Sequence, residues 1–261
     1  MKASAIRPAI LVGMISLLLA GCAAHGSNGE SGRRLIVFVD LSASIDREQR
    51  HRWGREAIRL IDSLVGGWAI GIYPIHDRTL DAAPLYQAEI PDWAPNATAE
   101  VARKQKSALL LVRKGAGAAL EKAFSAAGGA TQTDIFSAID RIGPDPRDRR
   151  TVIIFFSDML NSTPELNMER AGSLSRATIP SHIQNVARRH GWRPDLLSGA
   201  EVYCVLNAIE SGRRAPAVDR LTQRDFYEAL FGALGGRLAL YDTNLSSLNF
   251  RKGGRHVAQA Q

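Results

Sequence analysis

Residues 35–44 read LIVFVDLSAS, an apolar run of five residues followed by an acid and two serines. The run is rich in β-branched residues, which is typical of a parallel strand buried on both faces of a sheet. Asp40, Ser42 and Ser44 follow at alternate positions, so their side chains can turn toward one point beyond the end of the strand. The segment therefore predicts a buried strand that delivers an acid and two hydroxyls to one loop.

Strands and helices alternate along the rest of the chain. Further apolar strands are predicted at 68–75, 151–156, 201–206 and 238–241. Helical patterns are predicted at 46–64, 98–126, 134–142, 181–189 and 222–234. Asp46 with Gln49, and Thr222 with Asp225, have the spacing of helix caps. This alternation predicts an α/β fold, a Rossmann-like three-layer sandwich whose mostly parallel central sheet is flanked by helices. The irregular segment 84–98 leaves the edge of the sheet undefined.

Two other loops carry matching chemistry. Thr131 and Thr133 lie in a polar loop just before a predicted helix, and Asp158 follows a predicted strand. In open α/β sheets, ligands bind at the carboxyl ends of the parallel strands. We therefore expect these side chains to meet the acid and the two serines of the first loop at one edge of the sheet. Ser157 and Asn161 are candidates for a supporting role beside them.

The three loops together resemble the metal-ion-dependent adhesion site of von Willebrand factor A domains. That family has D-x-S-x-S on its first strand–helix loop, a threonine on a second loop and an aspartate at the end of a later strand. The resemblance covers residues 34–245. It implies a metal site with these ligands: Asp40, Ser42, Ser44, Thr133 and Asp158. Thr131 takes the place of Thr133 if the second loop is aligned two residues earlier.

The resemblance also implies what the site does. Hydroxyl and carboxylate oxygens are the ligands that Mg²⁺ prefers, and Mn²⁺ or Ca²⁺ are also possible. With only two carboxylates, Asp40 and Asp158, a divalent charge is barely balanced, so one more anionic oxygen can be accepted. In the resembling family, an aspartate or glutamate of a protein partner supplies that oxygen. We therefore expect a non-catalytic, metal-dependent protein-binding domain.

Three other interpretations remain open. Ser42 and Ser44 could cap the helix that follows them without forming a metal site. The chain could be an envelope scaffold with a degenerate metal site. It could also be a metal-dependent phosphohydrolase of the haloacid-dehalogenase type, with Asp40 as nucleophile and Ser157 as a phosphate ligand. That chemistry requires a general acid two residues after the nucleophile, where this chain has Ser42.

The amino terminus predicts export and lipid attachment. Lys2 and Arg7 accompany an apolar run at 8–20, which is too short to span a bilayer and suits a secretory signal peptide. The run ends in Leu-Ala-Gly-Cys, which resembles the lipobox of bacterial lipoproteins. That resemblance implies cleavage before Cys22 and attachment of lipid to its thiol, which would anchor the chain to the membrane.

The predicted organisation has four parts: a lipoprotein signal peptide (1–21), the lipidated cysteine with a flexible tether (22–33), a von Willebrand factor A-like domain (34–245) and a basic, disordered tail (246–261). The resemblance to lipoproteins, with alanine rather than aspartate after the cysteine, implies an outer-membrane protein that faces the periplasm of a bacterial envelope.

Composition and charge exclude some partners. The chain has 261 residues, and its net charge falls from +7 to +5 when Lys2 and Arg7 are removed with the signal peptide. No basic stripe interleaved with aromatic residues is present, so nucleic acid is not an expected partner. The second cysteine, Cys204, lies in an apolar run and is predicted to be a small core residue.

Overall fold

A computed structural model describes residues 32–92, 96–126, 129–143, 149–208, 217–245 and 248 of this chain. The predicted signal peptide, Cys22 and nearly all of the predicted tether and tail lie outside the described residues. Within the described ranges, no helix combines the length and the apolar character needed to cross a membrane.

The strands of the described residues are β1 (Arg33–Asp40), β2 (Trp68–Ile75), β3 (Tyr86–Glu89), β4 (Arg150–Phe156), β5 (Ser162–Thr163), β6 (Leu166–Asn167), β7 (Glu201–Val205) and β8 (Arg237–Asp242). One sheet has the order β3-β2-β1-β4-β7-β8, while β5 and β6 pair with each other. All neighbours in the larger sheet are parallel except β3, which is antiparallel to β2. The apolar run of β1 therefore lies in the middle of the sheet.

The helices of the described residues are α1 (Arg47–Asp62), α2 (Ala99–Ser125), α3 (Ile135–Asp140), α4 (Ile179–His190) and α5 (Arg220–Ala233). Successive side chains of a strand point to opposite faces of the sheet. In β1, Leu35, Val37 and Val39 pack in the layer that contains α1 and α2, while Ile36 and Phe38 pack in the layer that contains α3, α4 and α5. The predicted three-layer α/β sandwich is therefore confirmed.

Aromatic side chains fill both layers between the sheet and the helices. Trp53 of α1 is fully buried, and its ring centroid lies 6.1 Å from that of Phe156. On the opposite face, the rings of Phe38 and Phe155 stack with centroids 4.9 Å apart. Burial of one such side chain contributes about 1.5–3 kcal/mol. Cys204 is a buried free cysteine of the core, as predicted. The two central strands, β1 and β4, are thus held firmly where they deliver the candidate site residues.

Three details differ from the sequence prediction. The cap of α5 is Asp219, whose carboxylate accepts a hydrogen bond from Thr222 N at 2.9 Å, so the predicted capping pair of Thr222 and Asp225 is wrong. The segment 84–98, for which no element was predicted, contains the antiparallel edge strand β3. β1 begins at Arg33, one residue inside the predicted tether.

The two ends of the parallel strands form two opposite edges of the sheet. The first residues of these strands form the edge that we call the base: Arg33, Trp68, Arg150, Glu201 and Arg237. The last residues form the edge that we call the carboxyl edge. The candidate site residues follow the strands at the carboxyl edge, as expected for an open α/β sheet.

Candidate metal centre

Asp40 is the last residue of β1 and is fully buried at the carboxyl edge. Its Oδ1 accepts a hydrogen bond from Ser42 N at 2.8 Å, and its Oδ2 accepts one from Ser157 Oγ at 2.6 Å. Burial raises the pKa of the Asp40 carboxyl, and the hydrogen bonds from Ser157 and Ser42 offset this only in part. The strand therefore delivers an acid whose charged form is costly without a further positive partner.

The two serines of the first loop contact each other and Asp158. Ser42 Oγ and Ser44 Oγ are 2.8 Å apart, and Ser44 Oγ donates a hydrogen bond to Asp158 Oδ2 at 3.1 Å. The helix that follows is capped by Asp46, whose carboxylate accepts a hydrogen bond from Gln49 N at 2.7 Å. The interpretation of the two serines as caps of α1 is therefore wrong, and their hydroxyls face the acids of the site.

The second loop is joined to the first and third loops by hydrogen bonds. Ala43 N donates to Ala130 O at 3.0 Å. Thr133 N donates to Ser162 Oγ at 2.8 Å, and Thr133 O accepts from Ser162 N at 3.0 Å. Thr133 is buried with 3% of its surface exposed, whereas Thr131 is exposed. Burial therefore favours Thr133 over Thr131 as the threonine of the candidate site.

The third loop turns sharply just after β4. Asp158 Oδ1 accepts a hydrogen bond from Leu160 N at 3.0 Å. Met159 has a φ of 60°, in the left-handed region that non-glycine residues seldom adopt. Two side chains of α5 hold this turn: Gln223 Nε2 donates to Asp158 O at 3.0 Å, and Tyr227 Oη donates to Met159 O at 2.9 Å. Such contacts offset the conformational cost and fix the direction of the Asp158 carboxyl.

The two acids of the site are costly to ionise together. Burial, first, and the negative charge of Asp40, second, raise the pKa of Asp158 from 3.8 to about 7. The ion pairs of the described residues include neither of these acids. The charge of Arg50 lowers the pKa of Asp40, but it is the smallest of the causes that act on it. The field at this point therefore attracts a cation.

The structure brings four of the five predicted site residues into one hydrogen-bonded group: Asp40, Ser42, Ser44 and Asp158. Thr133 lies on the adjoining second loop and is joined to the group through the backbone of that loop. Among the described residues, no group of three or more His, Cys, Asp or Glu side chains could hold a metal ion. The candidate site differs from such groups because it combines two carboxylates with hydroxyls.

Residues that join the loops were harder to predict than the site residues. Asn161, a candidate for support, accepts a hydrogen bond from Ile135 N at 3.0 Å and so positions the start of α3. Ser157, the other candidate, contacts Asp40. Ser162 and Gln223 gave no signal in the sequence, because their partners lie 29 and 65 residues away along the chain.

Solved structures of similar fold include a von Willebrand factor type A protein from Catenulispora acidiphila, with 15% identity, a TM-score of 0.41, and coverage of 81% of this chain and 39% of that one. An aerotolerance-related membrane protein from Bacteroides fragilis has 12% identity and a TM-score of 0.38, over 81% of this chain and 92% of that one. Proximal thread matrix protein 1 from the mussel byssus, with a zinc-occupied metal-ion-dependent adhesion site, has 11% identity and a TM-score of 0.35, over 67% of this chain and 38% of that one. This chain thus spans about two fifths of the length of the first of these structures.

No family model and no curated protein matches the chain. The three TM-scores are below 0.5. The assignment of the chain to the three-layer α/β class therefore rests on its own strand order and helix placement.

Proposed function

We propose that this chain binds a protein partner through a divalent metal ion, without catalysing a reaction, as a lipid-anchored protein of a bacterial envelope. The observation that carries the proposal is the convergence of two buried acids and two serine hydroxyls at the carboxyl edge. The ligands that we assign are Asp40, Ser42, Ser44, Thr133 and Asp158.

The spacing of the oxygens supports Mg²⁺. Neighbouring ligands of an octahedral Mg²⁺ ion lie about 3 Å apart, because each is about 2.1 Å from the metal. Ser42 Oγ and Ser44 Oγ are 2.8 Å apart, and Ser44 Oγ and Asp158 Oδ2 are 3.1 Å apart. Ca²⁺ also takes oxygen ligands, six to eight of them at about 2.3–2.6 Å. The residues present therefore fit a hard divalent cation, for which we propose Mg²⁺.

The residues of the site have separate roles in this proposal. The hydroxyls of Ser42, Ser44 and Thr133 would hold the ion without adding charge. Asp40 and Asp158 would balance its charge and lose the unfavourable repulsion between them. When bound, the ion supplies a coordination position for one more anionic oxygen. A carboxylate of an aspartate or glutamate from a protein partner has the charge and hardness for that position.

The location in the envelope rests on the sequence. Leu19-Ala20-Gly21-Cys22 supports lipid attachment at Cys22, and the apolar run before it supports export. An outer-membrane position facing the periplasm follows from the same resemblance. Envelope proteins with exposed acidic residues are accordingly the partners to seek.

A phosphohydrolase is a weaker proposal for the same residues. A nucleophilic aspartate must present a free oxygen to its substrate. Asp40 is fully buried, so its carboxylate is not exposed to a substrate in solution. The position of the general acid is occupied by Ser42, which cannot perform that role.

The proposal is tested by crosslinking the full chain in intact bacterial envelopes. Adducts with a partner should form in Mg²⁺, disappear in EDTA and return when Mg²⁺ is restored. They should also be lost in Ser44→Ala, which removes one metal ligand, and be kept in Ser181→Ala, which removes an exposed hydroxyl of α4.

Calorimetric titration of Mg²⁺ into the same variants reports on metal binding directly. We expect heat of binding for the wild type and Ser181→Ala, and strongly weakened binding for Ser44→Ala. Adducts that are indifferent to EDTA and to Ser44→Ala would reject a metal-dependent contact. An absence of Mg²⁺ binding to the wild type would leave the scaffold with a degenerate site as the better description.

A further inference from the structure

A half-buried histidine joins three elements beside the candidate metal centre. His190 is the last residue of α4, and its side chain is 13% exposed. Its Nδ1 lies 2.7 Å from Oδ2 of Asp140, the last residue of α3. Its Nε2 lies 2.9 Å from Oε2 of Glu165, in the turn of the β5–β6 hairpin (162–167). One imidazole ring therefore holds both α3 and the hairpin against the end of α4.

These contacts require a proton on both ring nitrogens. A carboxylate oxygen only accepts hydrogen bonds, so each nitrogen must donate. A neutral imidazole has one N–H, and its other nitrogen would turn a lone pair toward a carboxylate. The hydrogen bond to Asp140, first, and that to Glu165 raise the pKa of His190 from 6.5 to about 9, although burial opposes them. Loss of the proton from the ring must therefore release one of the two carboxylates.

The contact with Glu165 is the one that is released more easily. The indole Nε1 of Trp192 also donates to the Asp140 carboxylate, and the Trp192 ring stacks on the imidazole with centroids 4.8 Å apart. Glu165 lies instead 3.9 Å from Nη1 of Arg189, whose side chain is 61% exposed. Asp140 therefore keeps the remaining N–H of a neutral ring, and the turn of the hairpin is freed.

The root of the hairpin contacts Thr133, the candidate metal ligand of the second loop. Ser162 Oγ accepts a hydrogen bond from Thr133 N at 2.8 Å, and Ser162 N donates to Thr133 O at 3.0 Å. Asn161, just before the hairpin, accepts a hydrogen bond from Ile135 N at the start of α3, at 3.0 Å. The hairpin and α3 both adjoin Thr133, and His190 holds both of them at their far ends.

Histidine makes this contact conditional on a proton. A lysine or arginine at the same position would stay charged at any pH near neutrality. The imidazole is the side chain whose charge is lost most readily when the pH rises. The charged groups that act on it come from α3 (Asp140) and the hairpin (Glu165), while Arg189 of its own helix pairs with Glu165. A change of one proton therefore decides whether the hairpin is held.

We propose that His190 is a positioning residue for the metal centre, whose imidazolium holds the β5–β6 hairpin, and through it Thr133, in the arrangement that binds the ion. When the ring gives its proton to solvent, Glu165 is released and metal binding weakens. This inference rests on the proposed function, because it describes how protons regulate that same metal site.

The first test is calorimetric titration of Mg²⁺ into the full chain between pH 8 and pH 10. This range lies above the pKa of Asp158, about 7, so the ionisation of that ligand contributes little. We expect the Mg²⁺ affinity of the wild type to fall about tenfold across the range, as is usual for two coupled sites.

Two variants separate the proton from the fold. In Glu165→Gln, the amide can donate to a neutral ring nitrogen or accept from a protonated one, so the contact closes in either state. Its Mg²⁺ affinity should match that of the wild type at pH 8 and stay constant to pH 10. His190→Gln cannot bridge both partners, so its affinity should be about tenfold lower at pH 8 and independent of pH. His182→Gln, in the same helix, is the matched control and should show the wild-type profile.

Hydrogen–deuterium exchange at pH 8 in EDTA tests the contact without metal. The amides of Ser162 and Met168 donate to Thr133 O and Asn161 O, and they report on the hairpin. We expect them to exchange about tenfold faster in His190→Gln, since release of the turn opens the hairpin locally. Exchange in β7 should be the same in both proteins.

The outcomes distinguish this inference from the proposed function. A wild type that binds Mg²⁺ equally at pH 8 and pH 10 would overturn the role of His190 and leave the metal centre intact. A Glu165→Gln variant that loses affinity with pH as the wild type does would assign the dependence to another group. Unchanged hairpin exchange in His190→Gln would overturn the inference whatever the metal does. A wild type that binds no Mg²⁺ at pH 8 would reject the proposed function, and this inference with it.

Discussion

Replacing Asp158 with asparagine should stabilise the metal-free protein. Asparagine keeps the shape of the side chain and can still bond Leu160 N and Ser44 Oγ, while it removes the charge that burial and Asp40 oppose. The pKa of Asp158 is raised from 3.8 to about 7. Between these two values, the Asp158 carboxyl is protonated in the folded protein and ionised in the unfolded chain. The stability of the wild type therefore falls as pH rises through the window, by about 4 kcal/mol in total at 1.36 kcal/mol per unit.

The assay is chemical denaturation of both proteins in EDTA across the same pH range. The difference in the free energy of unfolding should be close to zero near pH 4 and should reach about 4 kcal/mol in favour of Asp158→Asn near pH 8. Mg²⁺ at about 100 times its dissociation constant should then stabilise the wild type by about 2.7 kcal/mol and the variant by far less. The exposed Asp195→Asn is the control. A difference that is independent of pH would refute the buried, like-charged pair on which the reasoning depends.

Three further predictions concern other parts of the domain. His190 hydrogen-bonds Asp140 at 2.7 Å and Glu165 at 2.9 Å, and these contacts, the Asp140 bond first, raise its pKa from 6.5 to about 9. The protonated His190 should contribute about 3 kcal/mol to the free energy of unfolding below pH 6.5, and this contribution should be lost as pH rises through about 9. The difference in stability between the wild type and His190→Gln should therefore shrink over that range. A difference that stays constant would contradict the assignment. Asn161→Ala leaves the buried Ile135 N–H without its acceptor and should lower the free energy of unfolding by about 2 kcal/mol. It should also loosen the Thr133 loop and so weaken Mg²⁺ binding. Unchanged Mg²⁺ affinity in a calorimetric titration would show that this loop supplies no ligand. Trp53→Ala should cost about 3–5 kcal/mol in denaturant unfolding, against under about 0.5 kcal/mol for the exposed Leu111→Ala; similar costs would contradict the assigned packing.

The strands that position the site were predictable because burial leaves a strong local signal. Residues 35–39 form a continuous apolar run, as do residues 152–156 of β4 and 202–205 of β7, and each run lies in the parallel centre of the sheet. β3 gave no such signal, because its sequence YQAE is half-exposed at the edge of the sheet. At the start of α5, Asp219 lies three residues before Thr222, and Thr222 lies three residues before Asp225, so either pair has the spacing of a cap. Only the fold shows that the Asp219 carboxylate is the cap.

The candidate site also has residues that the sequence predicted and contacts that it did not. Asp40, Ser42, Ser44 and Asp158 were found from their positions just after strands, where topology places side chains together. The contacts that hold the loops against each other depend on residues that are distant in the sequence. Ser162 meets Thr133 across 29 residues, and no local pattern marks a serine for that role. The left-handed φ of Met159 likewise follows from tertiary contacts, since methionine has no preference for that conformation.

The central claim is that the three loops at the carboxyl edge hold one divalent ion. An anomalous-difference map from crystals of the protein grown in Mn²⁺ tests it most directly. We predict one strong peak within bonding distance of the hydroxyl oxygens of Ser42 and Ser44, beside Thr133 and the two acids, and its loss in Ser44→Ala crystals. A map without a peak at this position, or with the same peak in the variant, would contradict the claim.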